Sequence, residues 1–285
     1  MIKDNSSQVM LRLHVYICQV CLAIFCYFLC VSTTFAISLD GIFKQGGFIV
    51  GKLAPEETSP SFNGITLKKH QIGADGTFIF GIGRNTKPEG LIIFNSNNNE
   101  QKVSFIIEPR TYETQAITGV PKRKVTPNPE DLKQIKADKV QILKARSIFT
   151  DNLMLNSQIS WPVSATITGV YGSRRTFNGK ERSWHKGLDI AASTGEKIYA
   201  PTGGVVRLAL ANSFYNGNLI IIDHGHQLMT IYAHLNEIYI KNGDTVTPKT
   251  VLGTVGSTGR STGPHLHWGL YWRNMALDPL LLMKE

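Results

Sequence analysis

From Ser160 onward the chain consists of short β-branched and aromatic runs cut at close intervals by glycine, with no long amphipathic helix among them. Ile198-Tyr199-Ala200, Gly204-Val205-Val206, Leu219-Ile220-Ile221-Ile222, Met229-Thr230-Ile231-Tyr232 and Val251-Leu252-Gly253-Thr254-Val255 each have the length of one strand. Runs of that size between turn residues fit antiparallel strands joined by tight turns. The C-terminal half therefore reads as mainly β.

Within this half lies Gly263-Pro264-His265-Leu266-His267-Trp268-Gly269. Residues two apart on a strand point to one face, so His265 and His267 look into the same space. A hydrolytic zinc site needs about three protein ligands and one open position. Upstream, His185-Lys186-Gly187-Leu188-Asp189 offers an imidazole and a carboxylate, both ordinary zinc ligands. Between the two motifs, Tyr232-Ala233-His234-Leu235 sets a further histidine in an apolar run. Four of the chain's eight histidines fall in these three motifs. Any one of them alone reads as a packed or solvated histidine; the three together read as a metal site.

The first 36 residues differ from the rest. Lys3 and Arg12 precede an apolar run from Val15 to Val31, followed by Ser32-Thr33-Thr34-Phe35-Ala36. A basic start, an apolar centre and a small-residue site describe a signal peptide cut after Ala36. The other reading is a retained membrane anchor, for which the run is short. Cys18, Cys21, Cys26 and Cys30, all the cysteines of the chain, lie inside this run. The processed chain is thus expected to have no disulfide, thiolate metal site or cysteine nucleophile, and any metal must be held by histidine and carboxylate. Export places the protein in the periplasm or cell envelope. The net charge of +9 suits a polyanionic surface such as a cell wall or anionic lipid, and equally a solvated basic surface. Without a recognisable binding motif, nucleic acid is not an expected partner. Membrane contact is expected only through the first segment, if it is uncleaved.

Residues 37–120 read as a small β-sandwich, with strand runs at Phe48-Ile49-Val50, Thr77-Phe78-Ile79-Phe80, Leu91-Ile92-Ile93-Phe94 and Val103-Ser104-Phe105-Ile106-Ile107. His70 stands alone there and reads as solvated. Residues 121–159 read as a basic linker and helix. Pro121 to Pro129, with Lys122-Arg123-Lys124, is expected to be extended and exposed. Asn128 is the expected N-cap, Pro129 the first helical residue, and Glu130 and Asp131 first-turn acids. Leu132, Ile135, Val140 and Leu143 form the expected apolar stripe, packed across a domain junction, and Lys133, Lys136, Lys139, Lys144 and Arg146 the basic outer faces. Residues 160–285 hold the histidine motifs.

Some features are set aside. Gly179-Lys180 lacks the other residues of a phosphate loop. His224 and His226 follow a strand at a turn and read as structural. The glycines between Gly253 and Gly263 read as a cleft rim that a substrate backbone approaches.

Taken in order, Gly169-Val170-Tyr171-Gly172, His185-x-Gly187-x-Asp189-Ile190-Ala191, Ala200-Pro201-x-x-Gly204-x-Val206, Gly217-Asn218, Ile222-Asp223-His224-Gly225, Tyr232-Ala233-His234-Leu235 and Gly263-Pro264-His265-Leu266-His267 resemble the lysostaphin-type (LytM-like) zinc endopeptidase family. The resemblance covers roughly residues 160 to 280 and every block appears in order. It implies a mainly β fold: an antiparallel LytM-like catalytic domain preceded by the sandwich and linker helix. It implies one Zn2+ per chain held by His185, Asp189 and His267, with His234 and His265 acting on water and substrate. None of these five positions departs from the pattern.

The chemistry expected from the resemblance is zinc-assisted peptide hydrolysis. The His-Glu-x-x-His helix is absent, so an imidazole, with an ordinary pKa of about 6.5, is the substitute base. The implied substrate is the peptide part of peptidoglycan, with cross-links between stem peptides favoured over glycine bridges. Two other readings stand beside it. One is a non-catalytic cell-wall-binding regulator that activates another hydrolase, a role in which zinc ligands are usually lost. The other is a protease acting on proteins.

Overall fold

The computed structural model describes residues 37–96, 99–155 and 159–283. The expected signal segment and its cysteines lie outside the described residues.

The first strands are β1 (Ser38–Gly41), β2 (Phe48–Lys52), β3 (Ser61–Phe62), β4 (Ile65–Thr66), β5 (Thr77–Gly81), β6 (Glu89–Ser96) and β7 (Asn99–Ile106). They pair as two antiparallel sheets, β1-β2-β5 and β4-β3-β6-β7. Side chains alternate across each strand, so phenylalanines spaced two apart collect between the sheets. Phe62 meets Phe80 across the gap with ring centroids 5.6 Å apart, and Phe105 stacks on Phe62 at 5.8 Å. Phe80 also meets Trp272 edge-on at 5.8 Å, which joins this core to that of the C-terminal sheet.

The strand runs read from this part of the sequence end at Ile107, but the structure adds β8 (Thr114–Ile117). After it come α1 (Lys122–Val125), α2 (Pro129–Arg146), β9 (Thr166–Gly169), β10 (Arg174–Phe177) and β11 (Lys180–Arg182). β8 pairs in parallel with β10, which in turn forms a hairpin with β11. The linker is not simply extended: Lys122–Val125 makes one helical turn. Val120 and Val125 bury themselves against Phe177, and this apolar contact folds the segment down.

α2 starts as expected. Asn128 Oδ1 accepts from the Asp131 N–H at 2.8 Å, and Asp131 Oδ2 accepts from the Asn128 N–H at 3.1 Å, a reciprocal cap. The expected apolar stripe is not the buried face; of its four residues only Ile135 is half-buried. Leu132 and Val140 are 55% and 59% exposed, whereas Asp131, Asp138 and Ala145 are buried. The reason is the surface beneath. The helix packs on the next two long strands, β14 (Gly204–Ser213) and β15 (Gly217–Asp223), beyond β12 (Leu188–Ala191) and β13 (Lys197–Tyr199). Their connecting turn presents backbone groups that need partners. Asp138 Oδ2 accepts from the Phe214 N–H at 2.7 Å, and Gln134 Nε2 donates to the Asn212 carbonyl at 2.7 Å.

The remaining strands are β16 (Leu228–Ile238), β17 (Thr245–Val246), β18 (Val251–Val255), β19 (Leu266–Trp272) and β20 (Met275–Leu277). The large sheet runs β17-β14-β15-β16-β19-β12-β9, with β18 bonded to β16 and β13, and β20 bonded to β19. Its strand pairs are antiparallel. One face carries Leu188, Ile190, Tyr232, Leu266, Trp268 and Leu270 into the main core. The other carries Ile221, Met229, Ile231, Ala233 and Tyr271. By alternation Asp189 and His267 belong to the second face.

Candidate active site

Asp189 and His267 are direct cross-strand partners between β12 and β19, and Ala233 faces His267 from β16. The two side chains are therefore brought together by register alone. His185 enters from the turn before β12. Gly187 lets that turn lie flat on β19: a Cβ there would stand 2.4 Å from the Trp268 carbonyl oxygen.

Three ligand-capable atoms converge. His185 Nε2 lies 3.1 Å from His267 Nδ1 and 3.0 Å from Asp189 Oδ1, and His267 Nδ1 lies 2.8 Å from the same oxygen. Ligands about 2.0–2.1 Å from a tetrahedral zinc ion sit roughly 3.3 Å apart, so this triangle fits one such ion with little adjustment. Among the described residues these three form the one group of histidine, cysteine and acidic side chains able to hold a metal. His185 Nδ1 lies 3.0 Å from the Val170 carbonyl. A carbonyl only accepts, so the proton is on Nδ1 and Nε2 presents its lone pair to the triangle. Burial lowers the His185 pKa to about 4 against the pull of Asp189. For Asp189, burial acts upward, but the hydrogen bonds and charges of His185 and His267 outweigh it and hold the carboxyl well below the usual range. Its second oxygen, Oδ2, accepts from Arg175 Nη2 at 2.5 Å.

His234 reaches the site by a backbone exception. Strand alternation would send it to the Tyr232 face, yet its φ is +67°, in the left-handed region that non-glycine residues seldom adopt. The pairing of β16 shifts register on both sides here, between Asn218 and Ile220 and between Leu235 and Glu237. Such a conformation costs on the order of 1–3 kcal/mol and marks functional positions. The ring lies beside His265, with centroids 4.8 Å apart, and 6.1 Å from His267. His234 Nδ1 is 2.8 Å from the Thr258 carbonyl, and His265 Nδ1 is 2.9 Å from the Gly263 carbonyl. Both therefore carry a proton on Nδ1, so that in the neutral ring Nε2 is the acceptor. Burial, then His265 and His267, lowers the His234 pKa to about 3.

All five histidine and aspartate positions singled out in the sequence line one cleft of about 310 Å³. Arg175, Phe177, Tyr215 and Arg260 line it too, as do Ile117 and Val120 from the segment between β7 and α1. None of these six carried a sequence signal, because each is placed by tertiary pairing. The rim glycines do something other than expected. A Cβ on Gly253, Gly256 or Gly259 would meet the protein's own backbone within 2.1–2.4 Å, and Gly263 alone of the four faces open space. His224 is buried away from the cleft, bonded to the Gly203 carbonyl at 2.6 Å and to Thr230 Oγ1 at 2.8 Å. His226 is buried near Phe149, and His70 is exposed.

Residues 183–279 match the model of peptidase family M23. Among curated proteins, the chain is similar to peptidoglycan DD-endopeptidase ShyA of Vibrio cholerae, 40% identical over 96 residues, which is 34% of this chain and 22% of that protein. It is likewise similar to DD-carboxypeptidase/endopeptidase Mpg of Neisseria meningitidis, 38% identical over 96 residues, with 34% of this chain and 22% of that protein covered. The matched segment thus spans about a fifth of the length of these relatives. A crystal structure of a Pseudomonas aeruginosa protein assigned to peptidase M23 superposes with a TM-score of 0.62 at 26% identity, covering 84% of this chain and 94% of that one. That likeness reaches well beyond residues 183–279 and into the N-terminal part. Residues 183–279 of this chain are thus a domain of the peptidase M23 type.

Proposed function

We propose that this protein is an exported, zinc-dependent endopeptidase that hydrolyses peptide cross-links of peptidoglycan in the cell envelope. The observation that carries this is the triangle of His185 Nε2, Asp189 Oδ1 and His267 Nδ1, with the acceptor nitrogens of His234 and His265 beside it. The relatives named peptidoglycan DD-endopeptidases support the substrate class.

His185, Asp189 and His267 would hold the ion. The chemistry zinc supplies when bound at such a triad is Lewis acidity toward a carbonyl oxygen and acidification of a water molecule. Asp189 contributes one negative charge against two neutral imidazoles, so a divalent ion there keeps net positive charge. In their neutral form His234 and His265 present an Nε2 that can accept a proton. Between them they take the proton of the attacking water and return it to the leaving amine, a role worth about 10²–10⁴-fold in rate. The Thr258 and Gly263 carbonyls hold the two rings in the tautomer this needs.

The test is mass spectrometry of purified cross-linked muropeptides after incubation with residues 37–285, with and without a chelator. Conversion of dimers to monomers, abolished by chelation and restored by zinc, is the expected result. Intact dimers in the zinc-loaded reaction would refute the reading.

A further inference from the structure

The cleft contains a cation that the proposed hydrolysis does not use. Arg260 lines the same cavity as the triad. Its guanidinium carbon lies 4.3 Å from the centroid of the Tyr215 ring and 4.8 Å from that of Phe177, so it is held on an aromatic shelf. No described carboxylate pairs with it. Burial depresses its ionisation range; Tyr215 opposes this, and Arg175 and Arg182 add to it. Among the described residues the one carboxylate lining the cleft is Asp189, whose two oxygens already serve the histidines and Arg175. A half-buried guanidinium without a counter-ion is unfavourable unless something arrives to satisfy it. Its planar fork matches a carboxylate in two parallel hydrogen bonds.

The backbone around Arg260 ties it to the reacting groups. The Arg260 N–H donates to the Tyr215 carbonyl at 2.8 Å. Two residues before it, the Thr258 carbonyl holds His234; one residue after it, Ser261 Oγ lies 3.2 Å from His265 Nδ1. An anion seated on Arg260 is therefore registered against both imidazoles through one short loop.

We infer that Arg260 is a specificity residue that binds a carboxylate of the substrate peptide, so that the cleft selects acidic peptides. This rests on the endopeptidase reading above. The carboxylate can be a side-chain or a terminal one, and the two chemistries are separable by amidation.

The experiment compares three forms of one cross-linked stem peptide: all carboxylates free, the terminal carboxylate amidated, and the side-chain carboxylate amidated. kcat/KM is measured for the zinc-loaded full chain, Arg260→Gln and Arg260→Lys. One amidation should lower wild-type kcat/KM by about tenfold, mainly through KM, and so identify the carboxylate. In Arg260→Gln the free and amidated forms should converge to a ratio near one, while Arg260→Lys retains part of the preference. A wild-type enzyme indifferent to both amidations, or an Arg260→Gln enzyme with the wild-type ratio, overturns the assignment. Thermal melting of both variants separates this from loss of an aromatic strut, and Arg260→Lys serves if Arg260→Gln does not fold. Calorimetric titration of the same peptides into the zinc-loaded His265→Ala and His265→Ala/Arg260→Gln proteins reads the carboxylate preference, and its dependence on Arg260, without turnover. Should the wild type cleave none of the three peptides, the endopeptidase reading fails, and the titration still decides whether Arg260 binds the carboxylate.

Discussion

Arg175 Nη2 lies 2.5 Å from Oδ2 of Asp189, on the far side of the carboxylate from the oxygen that faces His185 and His267. The carboxylate is thus divided: one oxygen points at the candidate metal position and the other is fixed by a guanidinium. Arg175 is itself oriented by Gln115 Oε1 at 3.1 Å, and Gln115 Nε2 donates to the Thr168 carbonyl at 2.9 Å. Partners of this kind set ligand orientation, and losing them typically costs about 10–100-fold in metal affinity. Arg175→Gln should weaken zinc binding by that factor in a competition titration with a chromogenic chelator, and Gln115→Ala by less. Wild-type affinity in Arg175→Gln would show that Asp189 is held without it.

The two histidines of the His-x-His motif should separate cleanly in function. His267 contributes an atom to the triangle, whereas His265 Nε2 stands 3.9 Å from Asp189 Oδ1 and outside it. His267→Ala should lose stoichiometric zinc by elemental analysis. His265→Ala should keep zinc and lose about 10²–10⁴-fold in turnover. An active His265→Ala enzyme would remove its assigned role.

How far the sequence could be read follows from what each feature depends on. Strand alternation put Leu188, Ile190, Leu266 and Trp268 in the core, and therefore Asp189 and His267 on the other face together. That follows from residue order alone. His234 obeys the opposite rule: its side chain arrives only because the backbone turns left-handed, which no alternation pattern announces. The helix cap at Asn128 was legible because capping is local. The side on which α2 buries its residues was not, because the backbone groups at Asn212 and Phe214 select Gln134 and Asp138 over leucines. Arg175 and Arg260 were missed for the same reason: their partners lie on other elements.

The buried imidazoles make metal-free stability depend on pH. His185 titrates at about 4 and His234 at about 3 in the folded chain, below the ordinary value of about 6.5. The unfolded chain binds these protons first as pH falls, so their contribution is intact above about pH 6.5 and is lost below it. At about pH 5 each site costs roughly 2 kcal/mol of stability. Melting of the chelated protein should fall steadily from about pH 7 to pH 5, and His234→Gln should flatten that slope in part, because burial also lowers His185, His224 and His226. A melting temperature independent of pH in the chelated wild type would contradict the burial of neutral imidazoles.

Gly187 offers the sharpest steric test of how the triangle is assembled. It sits between His185 and Asp189, and a Cβ there would stand 2.4 Å from the Trp268 carbonyl, 3.0 Å from Gly269 Cα and 3.0 Å from His267 Cε1. Backbone atoms cannot yield as a flexible side chain can. Either β19 moves, carrying His267, or the turn lifts, carrying His185. Overpacking of this kind costs about 1–3 kcal/mol in stability, which a chain of this size can survive. The ligand geometry cannot survive it, because whichever side moves takes one ligand away from the other two. Gly187→Ala should therefore fold, as judged by circular dichroism, and bind zinc far more weakly than the wild type. Gly263→Ala, where a Cβ meets nothing within 4 Å, should keep wild-type zinc affinity. Equal zinc affinity in Gly187→Ala and the wild type would mean that the His185 turn is not pressed against β19 in solution.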